Sequence, residues 1–410
     1  MERLYGNSGN VLQEFFKRET GSCRPRNYAR RISSSRSVVE HIELYGELKA
    51  PMRGVTTVAF NTSGEHLMSG ADEQQIMLWD WAPKKLISSY PSGHKDAILQ
   101  AKFVPFSNDR KIVTSSADHQ VRLILAWESG SAANMELSKH HGCVHGLAVV
   151  PRSPHVIYSC GVDSYVLRHD LRVGSTSKIL HCASIITKLG VRLFSIDIDP
   201  RNPHYFSIGG DDPFARVYDI RKFGSSTNKS SPAYIFYPHV MASFNNPYIT
   251  ALAYSRKSEL LVSYNDDSIH LFRNNVGPCL SPDDEQVYLG HRNSQTIKGV
   301  GFFGPDDAYV VSGSDCGRVF FWMKKSGEIV RAVVGDVDTV KQAVGHPSIP
   351  VLATCGMESS AKIWGPTSNS KAPLPEPLVV KQWRSDYFAS NDDERDVEDT
   401  YEGYQDSDSS

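Results

Sequence analysis

One short sequence pattern recurs along the chain: a turn of small residues followed by a strand that ends in an aromatic residue. In three copies an acid precedes the aromatic residue by seven positions, and the pairs are Asp72 and Trp79, Asp211 and Tyr218, and Asp315 and Trp322. Four weaker copies keep the same frame, at residues 115–125, 159–170, 263–272 and 354–364. Seven copies between residues 38 and 366 give about 47 residues each, near the ~40–45 of a four-stranded propeller blade.

An alternating strand precedes each run, for example Val55–Phe60 and Ile98–Phe103, and a turn follows it. Short strands at regular spacing indicate an all-β fold, so the sequence predicts a seven-bladed β-propeller over residues 38–366. Residues 38–44 also alternate, and we expect them to supply the outer strand of the last blade and close the ring. The remaining segments are an N-terminal arm (1–37) and an acidic tail (367–410).

Composition narrows the functional classes. The formal net charge of −2 is too small to indicate nucleic acid or a membrane as an overall partner. The sequence contains neither the ~18–20 apolar residues of a membrane helix nor a secretory signal pattern at its start. Its seven cysteines are scattered singly, which favours reduced thiols. We therefore expect the protein in the nucleus and cytoplasm.

Two histidines stand 24 residues before a turn acid: His94 before Asp118 and His291 before Asp315. A histidine at this offset can hydrogen-bond the acid and hold the turn between blades. In blade six, His291, Ser312, Asp315 and Trp322 are predicted to form a buried polar chain. Acid–base catalysis is the functional alternative, but recurrence at one offset favours the structural role.

The Gly-His, Ser-Gly-Ser-Asp and Trp elements of blade six resemble those of WD-repeat proteins, and the resemblance covers about 80 per cent of the chain. It implies a seven-bladed WD-repeat propeller. Blades three, four, five and seven lack the Gly-His or the acid, and we expect them to be held less tightly.

The two ends carry opposite charge. Residues 11–19 predict a short amphipathic helix with Leu12, Phe15 and Phe16 on one stripe. A helix this short is marginal alone, so it either folds back on the propeller or binds a partner. Seven basic residues lie in 17–36, where they form a solvated arm, a nuclear address or a nucleic-acid contact. Residues 391–410 hold nine acids and are predicted to be disordered.

The segment His140–His145 is the single local cluster that looks like a metal site. Its residues fall on an entry loop and a strand, where neighbouring side chains point to opposite faces, so we expect no metal there. The sequence shows no phosphate-binding Gly-rich loop and no nucleophile elbow. We therefore expect no cofactor, no metal and no catalytic residues.

Two consecutive blades end their third strand with an acid-x-Arg sequence, Asp170-Leu171-Arg172 and Asp219-Ile220-Arg221. Both arginines are expected on the same face. Arginine suits bidentate contact with a protein partner, and the alternative is an Asp–Arg pair within each blade.

These endings resemble the motif by which WD-repeat substrate receptors dock the adaptor of cullin-four RING ubiquitin ligases. Other stretches, such as Gly290–Asn293 and Ser312–Gly317, resemble the same family. The resemblance implies that the adaptor, damaged-DNA-binding protein one, is contacted by Asp170, Arg172, Asp219, Arg221, Leu12, Phe15 and Phe16. His169 and Tyr218 stand where the family motif prefers Trp.

The resemblance implies a non-catalytic substrate-recognition subunit that bridges the adaptor, and through it cullin-four, to an unknown target protein. Two other classes remain open: a general WD-repeat scaffold in a nuclear or chromatin-associated complex, and a metal-dependent hydrolase built on a propeller.

Overall fold

The computed structural model describes residues 11–49, 54–127, 130–223, 231–238, 247–265, 268–273, 285–294 and 296–368. For residues 11–13 the backbone is described and the side chains are not. The predicted disorder of the acidic tail falls outside the described residues.

In the described residues, twenty-eight strands form seven four-stranded antiparallel sheets, which confirms the predicted propeller. The strands of blades one to three are β2 (Val55–Phe60), β3 (His66–Ala71), β4 (Gln75–Asp80) and β5 (Lys85–Pro91); β6 (Ile98–Phe103), β7 (Lys111–Ser116), β8 (Gln120–Ala126) and β9 (Ala132–Lys139); and β10 (Gly146–Val149), β11 (Val156–Cys160), β12 (Tyr165–Asp170) and β13 (Ser175–His181).

The strands of blades four to six are β14 (Leu193–Ile198), β15 (Tyr205–Gly210), β16 (Asp212–Asp219) and β17 (Tyr234–Phe236); β18 (Ile249–Tyr254), β19 (Leu260–Tyr264), β20 (Ser268–Phe272) and β21 (Glu285–Leu289); and β22 (Val300–Phe303), β23 (Tyr309–Gly313), β24 (Arg318–Met323) and β25 (Ile329–Val334). In each blade the first strand lies innermost and the fourth outermost.

Blade seven closes the ring with strands from both ends of the propeller. It contains β26 (Val340–Gly345), β27 (Leu352–Gly356), β28 (Ser360–Pro366) and β1 (Ile42–Lys49), and β1 pairs antiparallel with β28 as its outer strand. The N-terminal segment therefore closes the ring as predicted. The strand begins at Ile42 rather than 38 because residues 36–40 form a helix.

The hydrophobic core lies between neighbouring blades, where the second and third strands are largely buried. Side chains of the inner strands add hydrogen bonds from one blade to the next. Three of these bonds run from Val58 N to Gln342 Oε1 (3.0 Å), from Leu147 N to Gln100 Oε1 (2.5 Å) and from Leu252 N to Ser195 Oγ (3.0 Å). Each satisfies a buried backbone donor, so polar residues near the central channel hold the blades in register.

From residue 11 onwards the arm forms three helices, α1 (Val11–Glu19), α2 (Pro25–Ser33) and α3 (Arg36–Glu40). The sequence reasoning predicted α1 alone. The Glu14 carboxylate joins α1 to α2 by accepting a hydrogen bond from Arg31 (2.9 Å), and it accepts another from Lys17 of its own helix (2.7 Å). Among the described residues, no helix is long and apolar enough to cross a membrane.

The predicted His–Asp bond is present in blade two. His94 Nδ1 lies 3.1 Å from both carboxylate oxygens of Asp118, and His94 Nε2 lies 2.9 Å from Thr114 Oγ1. Both ring nitrogens are therefore satisfied in a buried position.

The predicted polar chain of blade six is wrong. Neither ring nitrogen of His291 has a hydrogen-bond partner among the described residues, and the ring packs edge-on against Trp322 with centroids 5.4 Å apart. Asp315 instead pairs with Lys298, whose Nζ lies 2.5 Å from Oδ1. Trp322 Nε1 donates to the Leu289 carbonyl (2.9 Å). Ser312 Oγ donates to backbone carbonyls. A buried ammonium attracts the carboxylate more strongly than a neutral imidazole does.

Blade three, expected to be loosely held, contains the complete chain. Ser159 Oγ lies 2.8 Å from His140 Nε2 and 2.9 Å from His169 Nε2. Asp163 lies 2.9 Å from His140 Nδ1, and Thr176 Oγ1 lies 3.0 Å from His169 Nδ1. The sequence pattern did not predict this pair, because His140 stands 23 rather than 24 residues before its acid.

His169 makes the stability of the protein pH-dependent. Burial lowers the pKa of His169 to about 3, against about 6.5 in an unfolded chain. Above pH 6.5 the ring is neutral in both states. Below pH 6.5 the imidazole binds a proton in the unfolded chain but not in the folded one. The free energy of unfolding therefore decreases as the pH falls towards 3. Between pH 6.5 and 5, this one group is expected to lower the free energy of unfolding by up to about 2 kcal/mol.

Urea unfolding of the wild type and of His169→Gln, at half-unit steps from pH 7 to 5, checks this prediction. Glutamine can bond Ser159 and Thr176 but does not titrate. Its unfolding free energy should therefore depend less steeply on pH. Parallel curves for the two proteins would contradict the assignment.

Candidate partner-binding site

The two Asp-x-Arg sequences lie at one rim of the propeller. Because successive strands in a blade are antiparallel, the first and third strands of every blade end at the same rim. Asp170 ends β12 and Asp219 ends β16, the third strands of blades three and four. We call this side the Asp-Arg rim, and the structure therefore brings both predicted arginines to one face.

Each arginine is held by its own aspartate through three bonds, and Asp170 also accepts a longer one from Arg168 (3.4 Å). Asp170 Oδ1 accepts hydrogen bonds from the backbone N and Nε of Arg172, both at 3.1 Å, and Oδ2 accepts one from Nη2 at 2.9 Å. The bonds from Arg221 to Asp219 measure 3.0, 2.9 and 2.8 Å. The intrablade pair, one of the two interpretations, is thus present in both blades.

These pairs nevertheless leave the guanidinium groups open to solvent. The side chains of Arg172 and Arg221 are 58% and 59% exposed, whereas those of their aspartates are 9% and 7% exposed. The carboxylate engages Nε and Nη2, so the second terminal nitrogen lies on the opposite edge of the planar fork. The pair therefore fixes the orientation of each arginine and leaves one edge for another acceptor.

The hydrogen bond from its arginine holds the pKa of each aspartate below its usual range. The same bonds raise the pKa of Arg172 and Arg221. Both aspartates stay ionised and both arginines stay charged at neutral pH. The orientation of the arginines is consequently insensitive to pH in the physiological range.

The rim of blades three and four is strongly basic. Exposed cations there are Arg152, Arg172, Arg201, Arg221 and Lys222. Residues 140–223, all of them described, contain seven aspartates and no glutamate, and none of the seven is exposed. Positive charge on this part of the rim is therefore not balanced by exposed acids from the same two blades.

The arm packs on the same rim at blade six. Arg30 forms an ion pair with Asp306, in the hairpin between β22 and β23. Arg36 binds both carboxylate oxygens of Glu328, in the turn after β24, at 3.0 and 2.7 Å. Val39 is buried with side chains of blades six and seven. Part of the basic run thus anchors the arm through α2 and α3.

The predicted apolar stripe of α1 is partly described. Phe15 and Phe16 are 46% and 62% exposed and make an edge-to-face contact with centroids 6.4 Å apart. The Leu12 side chain lies outside the described residues. Through Glu14 the helix is bound to α2, and the rings of the two phenylalanines are open to solvent.

The three histidines of His140–His145 have separate surroundings. His140 belongs to the chain in blade three, and His141 is exposed. His145 packs edge-on against Phe194, with centroids 5.5 Å apart, and burial lowers its pKa to about 4. Within the described ranges, no group of three or more His, Cys, Asp and Glu side chains is arranged to hold a metal ion.

Comparison with known proteins gives matches of two kinds. The WD domain, G-beta repeat family matches residues 43–80 and 283–323. The chain is 27% identical over 276 residues to human "DDB1- and CUL4-associated factor 6". This alignment covers 65% of the chain and 32% of the relative. The chain is 30% identical over 302 residues to "WD repeat protein iqw1" of Schizosaccharomyces pombe, covering 64% of this chain and 36% of the relative.

A plant protein matches over a similar span. "Protein ALTERED SEED GERMINATION 2" of Arabidopsis thaliana is 27% identical over 315 residues, covering 68% of this chain and 41% of the relative. The aligned part amounts to about a third to two fifths of the length of these relatives.

Proposed function

Because the chain is a seven-bladed WD-repeat β-propeller similar in sequence to a DDB1- and CUL4-associated factor, we propose that it is a non-catalytic substrate-recognition subunit of a cullin-four RING ubiquitin ligase. It binds damaged-DNA-binding protein one and, through it, cullin-four, and it brings a target protein to the ubiquitin-charged enzyme by proximity. Within that class we propose the eighth associated factor as the member it resembles, acting in the nucleus and cytoplasm.

One observation carries the proposal: two arginines on consecutive blades share one rim, one hydrogen-bonding geometry and one degree of exposure. An isolated intrablade pair would require neither the repetition nor the exposure. Arginines held in a fixed orientation lose little entropy when they bind, which favours their use as interface anchors.

The arm supplies a second contact. Phe15 and Phe16 expose aromatic surface on a helix that is attached to the same rim. Large exposed aromatic side chains that lie together favour a protein partner. An adaptor that spans blade six and blades three and four would cover both the helix and the arginines.

The double variant Arg172→Ala/Arg221→Ala tests the proposal. We expect it to bind the purified adaptor at least tenfold more weakly than the wild type, because each truncation removes an oriented cation from the interface centre. Binding is measured by titration of the full chain, and co-purification from cells gives a second measurement.

Arg192→Ala is the matched control. Arg192 is also paired with an aspartate, Asp211, at 2.7 Å and is 60% exposed, but it lies at the opposite rim of blade four. Its loss should leave adaptor binding within twofold. Unchanged binding of the double variant would refute the docking role, and a wild type that recovers neither adaptor nor cullin would favour the general WD-repeat scaffold.

A further inference from the structure

A groove of about 380 Å³ lies between blades three and four and opens at the Asp-Arg rim. Its walls come from hairpins and strands of both blades, and they combine apolar side chains with the polar ones of Arg168, Ser177 and His204. The apolar side chains are those of Val150, Val156, Ile179, Pro203, Ile220 and Phe223. Ligand-sized clefts lined in this way are typical of sites that receive an apolar group.

The fold places the two arginines on either side of this groove. Val156, on one wall, pairs in register with Asp170, which holds Arg172. Ile220, on the other wall, lies between Asp219 and Arg221 in sequence. Each oriented guanidinium is therefore fixed to the backbone that forms a wall of the groove.

Aromatic side chains pack behind the wall of the groove. Phe206 stacks between Tyr158 and Tyr218, with centroid distances of 5.8 and 5.6 Å, and Phe223 packs against it at 5.9 Å. Tyr158 and Phe223 also line the groove. A cavity held by such contacts is preformed, so an incoming side chain would not have to order it.

The charge around the groove indicates what kind of chain it fits. Arg152, Arg201 and Lys222 lie on the same rim and are exposed, as are the two oriented arginines. None of the aspartates of the two blades is exposed. An apolar slot surrounded by cations complements an apolar side chain carried between acidic residues.

We infer that this groove is the pocket into which the ligase adaptor inserts an apolar side chain from an acidic segment, while Arg172 and Arg221 bind the acids on either side. The inference rests on the proposed function, which it extends from two arginines to the groove between them. A nucleic acid would engage the arginines alone and leave the apolar groove empty.

Filling the groove from an exposed position tests the inference. Ser177 lines the groove and is exposed on β13, opposite Arg168. Ser177→Phe should weaken binding of purified damaged-DNA-binding protein one at least tenfold, with an unchanged thermal unfolding midpoint. The matched control is Ser88→Phe, because Ser88 occupies the corresponding position of blade one, opposite Leu78. It should change binding less than twofold.

Two substitutions of opposite charge at one exposed residue test whether the inserted adaptor segment is acidic. His204 lies on the groove wall at the rim. His204→Glu should weaken adaptor binding at least fivefold by repulsion, whereas His204→Lys should keep or strengthen it. Equal effects of the two substitutions would overturn the assignment of an acidic segment.

The outcomes separate the two proposals. If Arg172→Ala/Arg221→Ala weakens adaptor binding and Ser177→Phe does not, the groove inference fails and the proposed function stands. If the wild type does not bind the adaptor, the proposed function itself fails. Binding of a fluorescent single-stranded oligonucleotide that needs both arginines and is unaffected by Ser177→Phe would also overturn the groove inference.

Discussion

Replacing Lys298 with methionine is expected to lower the free energy of unfolding by about 3–5 kcal/mol. Lys298 Nζ lies 2.5 Å from Asp315 Oδ1, and the two side chains are 0% and 1% exposed. The ammonium also donates to Asn293 Oδ1 and the Thr296 carbonyl, both at 3.2 Å. Methionine fills much of the same volume but leaves the carboxylate buried without its counter-charge.

A second substitution in the same pair provides the control. Lys298→Met/Asp315→Asn removes both charges, and asparagine can still accept the hydrogen bond from Ser294 N (2.8 Å). The double variant should recover most of the lost stability, because removing a whole buried pair costs far less than removing one partner. Urea unfolding at pH 7 measures both. A loss below 1 kcal/mol in Lys298→Met would refute the role of the pair.

His94→Leu is expected to destabilise the protein far more than His291→Leu, although both histidines follow a glycine at the same offset from an acid. His94 bonds the Asp118 carboxylate and the Thr114 hydroxyl through its two nitrogens, so its loss removes a charge-assisted bond and a second buried bond and should cost about 2–3 kcal/mol. His291 leaves both nitrogens unpaired among the described residues. Leucine there should cost less than about 1 kcal/mol or stabilise the protein.

Parallel urea titrations at pH 7 make the comparison. Acidification adds a second test, since burial lowers the pKa of His291 to about 3. The folded protein then resists protonation below pH 6.5, and His291→Leu should flatten the decline of stability towards pH 5. Equal losses in the two variants at pH 7 would show that His291 is satisfied in solution.

The fold could be predicted because its signal is repeated. An acid seven residues before an aromatic strand end recurs often enough to count the blades, even where single copies are weak. Blade three was underrated because His140 follows Lys139 rather than a glycine and stands 23 residues before Asp163. A search allowing one residue of variation in loop length would have found it.

The polar chain predicted for blade six was wrong for a different reason. The blade's sequence contains every expected residue, but the ammonium of Lys298 pairs with Asp315, and the repeat pattern does not predict a lysine at that position. Periodicity identifies which residues a turn can use, and competition between partners at atomic distances decides which bond forms. Position in the repeat therefore predicted the burial of His291 but not its hydrogen bonds.

The candidate site was predictable in place but not in detail. Strand direction alone put Arg172 and Arg221 on one rim. Their bidentate pairing depends on the local backbone turn that brings each arginine back to the aspartate two residues before it. The groove brings Val156 of blade three beside Ile220 of blade four, and such contacts between blades leave no periodic trace. Helices α2 and α3 were missed because their contacts lie in blade six.

Ring closure by β1 has a consequence for synthesis on the ribosome. Ile42 pairs with Pro366, so β1 is synthesised 324 residues before the strand with which it pairs. At ~5–20 residues per second this interval is on the order of 16–65 s. Throughout it, the backbone of an edge strand is available to other chains. Blades one to six can form in order as they emerge. Until the last blade is translated, β1 has no β28 with which to pair.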